Sequence, residues 1–346
     1  VNYSRGVTQT HFKNWDKRQK VYLGEREMDR NDRKAKAEND PAKMVLPLST
    51  SQINTFIATS LMLLRQRKRF YEFDPQGAED HKLREPSEQL LERDMRENKQ
   101  SVMLHQFFLD LGRFGLGVLK HQWVHEKLRV KVPTTNVIFD QEVEGEMEYQ
   151  QFTSFMGNRI DNISPYKFFP DVRMPLTRFR EGEFCASEEE FTKTRLRQLE
   201  ADGEVAGIEY ITSFTQDQLH KRTSDGDHRF TSIDKSNPTT DNNNFIVTEC
   251  QVWITPADYE MEGKRAFGKE KFPVLYQVCY INDSRIIKLE PMNNYHSGFT
   301  YEVAQFTPDQ HKRLSNSLSD MVGPLQTLID WYVNARVTAV KRSLEN

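Results

Sequence analysis

Nine histidines, three cysteines and 51 Asp and Glu are the side chains of this 346-residue sequence whose chemistry reaches beyond packing. His121 and His125 stand four apart, the spacing that puts two imidazoles on one face of a helix to share a metal ion. Their neighbours Trp123 and Val124 read as a strand, however, and a strand rising about 3.3 Å per residue holds the rings about 13 Å apart. No H-E-x-x-H or H-x-E companion accompanies the other histidines. Cys185, Cys250 and Cys279 form no CxxC pair, so neither a zinc site nor a disulfide framework is indicated, and a reducing compartment fits. Glu188, Glu189 and Glu190 make a carboxylate run, yet metal-dependent hydrolysis needs carboxylates that converge, which a run does not supply. A G-x-S-x-G elbow and a Walker lysine loop are both missing from the sequence. The "GRFGLG" stretch runs from helix into strand, the reverse of a phosphate-cradling loop. The expectation is therefore no catalytic residue, no metal site, no cofactor and no enzyme.

What must position such residues is a set of helices followed by a sheet. Residues 1–40 form a basic, helical N-terminal arm, with ten Lys and Arg against five Asp and Glu through residue 36 and Phe12 and Trp15 as anchors. Ile53, Phe56, Ile57, Leu61 and Leu64 recur at helical spacing behind an N-cap at Ser49, Thr50 or Ser51. Arg65, Arg67, Lys68 and Arg69 then sit at its negative end. A helix from Ser87 to Leu111 is expected to stop at Gly112 and lead into a strand reaching Pro133. The prolines at 165, 170 and 175 predict an extended, packed loop with short strands over 150–185. Ser187 and Glu190 read as the capping box of a helix ending at Gly203. A mobile loop is expected near 215–244, followed by three antiparallel strands with Asn282-Asp283 as a hairpin turn.

Length predicts two or three subdomains. With 48 Lys and Arg against 51 Asp and Glu the net charge is -3, which excludes a chain that is basic throughout and sheathes nucleic acid. No run of about 18 apolar residues suits a membrane span, and the chain reads as soluble and made in a cytoplasm.

The last element carries the most information. Leu314, Leu318, Met321, Leu325, Leu328, Tyr332, Ala335 and Ala339 step alternately by four and three, the rhythm of a helix packed lengthwise on other helices. Gly323-Pro324 predicts a division into a short helix and a second one from Pro324 to Glu345, about 33 Å long. Trp331, Val333, Val337 and Val340 widen the apolar arc, so more than one face is expected to be covered.

Element by element, the chain resembles the portal, or head-to-tail connector, proteins of tailed bacteriophages. The resemblance rests on "KMVLPLSTSQINTFIATSLMLL", on "DLGRFGLGVLKHQW", on "ISPYKFFPDVRMPLTRFREGEFCASEEEFTKTRLRQLEADG" and above all on "YHSGFTYEVAQFTPDQHKRLSNSLSDMVGPLQTLIDWYVNARVTAV". It implies an α+β fold: a wing over 41–308, built of helices with a small antiparallel sheet, leading into stem helices from 309. The clip, second stem helix, channel loop and crown would lie beyond Asn346. It further implies a twelve-subunit ring at the capsid vertex of a virion, passing double-stranded DNA. The major capsid protein, the terminase motor and tail adaptor proteins would be its partners, and no membrane would be involved. Leu325, Leu328, Tyr332, Asn334, Arg336 and Lys341 would then face neighbouring subunits or the channel. The competing readings are a metal-dependent DNA-processing enzyme and a channel-less capsid adaptor or scaffolding protein.

Overall fold

At Gly115 the chain turns from helix to strand, and the rest of the fold is arranged about that corner. Its φ of +81° falls where side chains are strained, and an added Cβ would stand 2.9 Å from the Ser315 carbonyl oxygen, so glycine is required twice over. The structure is a computed structural model. It describes residues 1–24, 45–66, 72–138, 141–210, 244–261, 264, 265, 267, 270–283, 285–293, 298–309 and 315–345. The expected loop at 215–244, apart from Asn244, and residues Arg67, Lys68, Arg69 and Leu314 lie outside the described residues.

Among the described residues four helices come first: α1 (Asn2–Leu23), α2 (Leu48–Arg65), α3 (Asp80–Glu97) and α4 (Gln100–Phe114). Then follow β1 (Leu116–Ile138), β2 (Gln141–Ile163), β3 (Phe168–Pro170), β4 (Phe184–Thr192) and α5 (Lys193–Ala201). Strands β5 (Asn244–Ile254), β6 (Glu260–Met261), β7 (Lys264–Arg265), β8 (Val274–Ile281), β9 (Arg285–Pro291) and β10 (Tyr301–Gln305) precede α6 (Leu318–Glu345). The fold is α+β, with an antiparallel sheet ordered β10-β1-β2 and another ordered β3-β4-β5-β8-β9.

Between these sheets and α1 lies the main core, which includes Trp15, Phe114, Val118, Tyr166, Phe168, Leu275, Phe299 and Tyr301. The basic stretch expected as an arm is, over Asn2–Leu23, a packed helix that buries Trp15 against the rings of Phe114 and Tyr166. Its arginines serve the interior. Arg5 pairs with Glu188 at 2.5 Å and Asp283 at 3.0 Å, while Arg18 donates to the Phe114 carbonyl.

Several sequence expectations are corrected. The helix expected from Ser87 to Leu111 is two, separated at Asn98-Lys99, where Lys99 has φ +50°. Gly112 does not stop the second; it lies inside α4, where a Cβ would touch Ile53 and Phe56 of α2 at 3.4 Å. Helix α2 starts after Pro47 without a side-chain cap. Ser187 and Glu190 belong to β4, which pairs along its length with β5, and the helix cap is Thr192, whose hydroxyl accepts the Arg195 N–H at 3.3 Å. Residues 150–163 are the returning half of a ribbon, not a loop, since Gln150 to Ile163 pair with Val130 to Val118. The helix-glycine-strand order holds at Gly115, and so do the three strands β5, β8 and β9. Asn282 (φ +52°) and Asp283 (φ +56°) form the positive-φ turn that matches strand twist.

Candidate subunit interface

Helix α6 begins with a reciprocal cap. The Asp320 N–H reaches Ser317 Oγ at 3.2 Å and the Ser317 N–H reaches Asp320 Oδ2 at 2.8 Å, satisfying two of the backbone donors a helix start leaves orphaned. The same carboxylate takes the Arg18 guanidinium at 2.6 Å, which ties α6 to α1. About two turns into the helix, Gln326 Oε1 accepts from both the backbone N–H (3.1 Å) and the hydroxyl (2.6 Å) of Ser49, serving as the cap that α2 lacks from its own sequence. Asp330 Oδ1 accepts the Leu46 N–H at 2.8 Å.

Those anchors explain a correction to the terminal element. Pro324 does not divide it: Leu318–Glu345 is one helix of 28 residues. A proline in a helix costs one hydrogen bond and crowds the carbonyl four residues back, but here fixed contacts at Asp320 and Gln326 flank it and hold the axis. Thr327 Oγ1 donates to the Gly323 carbonyl at 3.0 Å, adding a bond across the same turn.

From Ser317 to Asp330 the helix is held to its own chain; from Trp331 to Leu344 no residue is fully buried. Leu325 is 60% exposed, Leu328 61%, Trp331 69% and Leu344 81%. At about 100° per residue, Leu325, Leu328 and Tyr332 share one stripe, and the Arg336 guanidinium sits 6.0 Å from the Tyr332 ring centroid beside it. Asn334 and Lys341 lie on the far side of the helix, with Asn334 half-buried and its Nδ2 donating to the Asp330 carbonyl at 2.8 Å. The six residues singled out from the sequence therefore do not form a single patch. Ile329, Val337, Val340 and Leu344 make a second exposed stripe, and with the first and Trp331 they span an apolar arc of about 240°. Sequence reasoning overlooked Ile329 and Leu344 although their apolar type was the signal, because a strict a/d rhythm selects a narrower seam.

The side chains with chemical potential are dispersed. His121 and His125 lie on β1 as expected, and His125 Nε2 stands 3.1 Å from Thr153 Oγ1. Burial pushes the thiols of Cys250 and Cys279 up to about 11 and about 12, so neither is a thiolate near neutral pH. Among the described residues no three His, Cys, Asp or Glu side chains are gathered as metal ligands, and no helix is long and apolar enough to cross a membrane.

No protein-family model and no curated protein matches the chain.

Proposed function

We propose that this protein is a structural subunit of a closed ring of identical copies, a portal-type connector at a capsid vertex through which double-stranded DNA enters and leaves. One observation carries the reading: an apolar arc of about 240° along α6 that its own chain leaves uncovered. Two copies meeting about a two-fold axis use one self-complementary face. A helix between two neighbours in a ring needs two different faces, and α6 has an apolar stripe through Leu325, Leu328 and Tyr332 and another through Ile329, Val337 and Leu344. The near-neutral net charge suits a conduit, because a lumen lined with lysine and arginine would hold DNA by counterion release and resist sliding. On this reading the capsid protein, the packaging motor and tail adaptors dock on the ring, which in the family it resembles has twelve subunits.

Native mass spectrometry of the purified chain tests it. The expected result is one closed oligomer at micromolar concentration. Leu328→Glu should raise the subunit concentration needed for assembly by about 30-fold or more, as loss of a central apolar anchor does. A wild-type chain that stays monomeric removes the reading.

A further inference from the structure

Among the described residues, the β1–β2 ribbon also leaves large apolar side chains in solvent. Its root is fixed. Strand β10 pairs with β1 only from Leu116 to Lys120, Lys120 reaches across to Glu249 on β5 at 2.5 Å, and α3 seals the outer edge of β2. There Asp94 accepts the Asn158 N–H at 2.9 Å, and the side chains of Arg93 and Asn98 donate to the carbonyls of Met156 and Asn158. Beyond that clamp the two strands stay paired to Ile138 and Gln141, about 40 Å of ribbon past Glu126 at 3.3 Å per residue.

Past the clamp Arg129 still reaches Asp202 Oδ1 at 2.8 Å and the Ala201 carbonyl at 3.4 Å, but a two-stranded ribbon so little covered by the described residues is marginal in water, and this one is not made polar to compensate. Leu128 faces Phe152 across the strands on one side, and Tyr149 faces Lys131 on the other, with the ammonium 5.0 Å from the ring centroid. Tyr149 is 71% exposed and Trp123 60%, with Phe152 about half exposed. Aromatic side chains carry about 150–250 Å² each. Adding Leu128, Met147 and Met156 puts on the order of 600 Å² of apolar surface in solvent over the two faces together, against the roughly 800 Å² each partner gives a stable interface. The edges, by contrast, are poor templates for strand addition: register shifts fall at Glu126/Lys127 and Pro133/Thr135, Pro133 has no N–H to offer, and Lys127 and Lys131 stand along the strand.

We infer that the faces of the β1–β2 ribbon pack on the body of a second copy of this chain, making the ribbon a clasp between subunits separate from α6. This rests on the ring reading for where the second copy lies. A body of this length has a radius of gyration of about 20 Å, so a copy touching along α6 falls within the ribbon's reach. The clasp uses side-chain faces, and the blunted edges keep it from growing into an open-ended sheet.

The test compares Phe152→Glu, Phe152→Leu and Leu328→Glu by native mass spectrometry over a dilution series, with hydrogen exchange of the ribbon amides in the wild-type assembly and after dilution. The expected result is an assembly that Phe152→Glu weakens at least tenfold and Phe152→Leu preserves, with amides of 123–132 and 147–158 losing at least tenfold protection on dissociation. Wild-type assembly that Phe152→Glu leaves intact, or ribbon protection unchanged on dissociation, overturns the clasp and spares the ring. A pair of copies split by Phe152→Glu but indifferent to Leu328→Glu keeps the clasp and overturns the ring. A monomeric wild type overturns both. Should Phe152→Glu fail to fold, the exchange measurement on the wild type decides alone.

Discussion

At the junction of the two sheets, charged and polar groups are buried and paired with one another; along the apolar stripes of α6 and on the ribbon, large apolar groups stand in solvent. Lys120 is 6% exposed, on β1, with its ammonium 2.5 Å from Glu249 and 5.8 Å from the Tyr301 ring centroid. Around this pair, Gln251 donates to Thr300 Oγ1 at 2.6 Å and accepts the Thr300 N–H at 2.9 Å, and Tyr301 shares a hydrogen bond with Ser187. Burial alone would lower the Lys120 ammonium, and the charge of Glu249 reverses that and holds it above the usual lysine value. Burial would likewise raise the Glu249 carboxyl, and Lys120 holds it below its usual range. The contrast teaches where self-sufficiency ends. The junction is closed within the chain, whereas Leu328 and Phe152 keep about half or more of their surface in solvent.

The largest effect that would break this comparison is expected at Lys120. Lys120→Ala leaves Glu249 charged without its partner and should cost about 3–5 kcal/mol of folding stability, read from denaturant unfolding with the slope unchanged. Lys120→Met, which fills the volume but also strands the carboxylate, should recover only part of that. If either variant unfolds like the wild type, the junction is not the self-contained network described here.

Leu328→Glu is the complement, with an effect smaller on folding and confined to association. Thirtyfold weaker assembly corresponds to about 2 kcal/mol at 1.4 kcal/mol per tenfold, while unfolding of the separated chain should move by less than about 0.5 kcal/mol, as for an ordinary surface site. Equal losses in both measurements would mean that α6 is packed by its own chain and that the two regions do not differ in kind.

Legibility in the sequence follows the same division. Helix periodicity, the glycine corner and the Asn282-Asp283 turn were readable because each depends on local backbone preferences. The α3–α4 break at Lys99 and the strand at Ser187 to Glu190 were not, since long-range pairing with β5 overrides a local S-x-x-E pattern. The returning strand β2 hid for a related reason: the alternation that marks a half-buried strand is blurred when large apolar residues occupy both faces. Among candidate-site residues, Leu325, Leu328 and Tyr332 were legible as one stripe, but the roles of Gln326 and Asp330 were not. Both look like ordinary polar positions until Ser49 and Leu46 are brought beside them.

Asp171 sharpens the comparison from an intermediate position and carries the smallest effect. Its side chain is buried after β3, but the guanidinium that pairs with it, Arg173 at 2.6 Å, stands in solvent. Burial by itself would raise the Asp171 carboxyl; hydrogen bonds from the Arg173 side chain and from the backbone N–H groups of Arg173 and Glu183 instead bring it down to about 2, from an unfolded value of 3.8. Because the folded value is the lower one, ionised Asp171 stabilises the fold fully above about pH 4, and that contribution disappears as pH falls through 2. Screening of the exposed partner limits it to on the order of 1 kcal/mol. Unfolding midpoints of the wild type and Asp171→Asn between pH 6 and pH 2 check this: their separation should be constant down to about pH 4 and close below it. Arg173→Ala should keep part of that separation, because the two backbone donors remain. A separation that persists at pH 2 would mean that Asp171 acts through its shape and not its charge, as Lys120 could not.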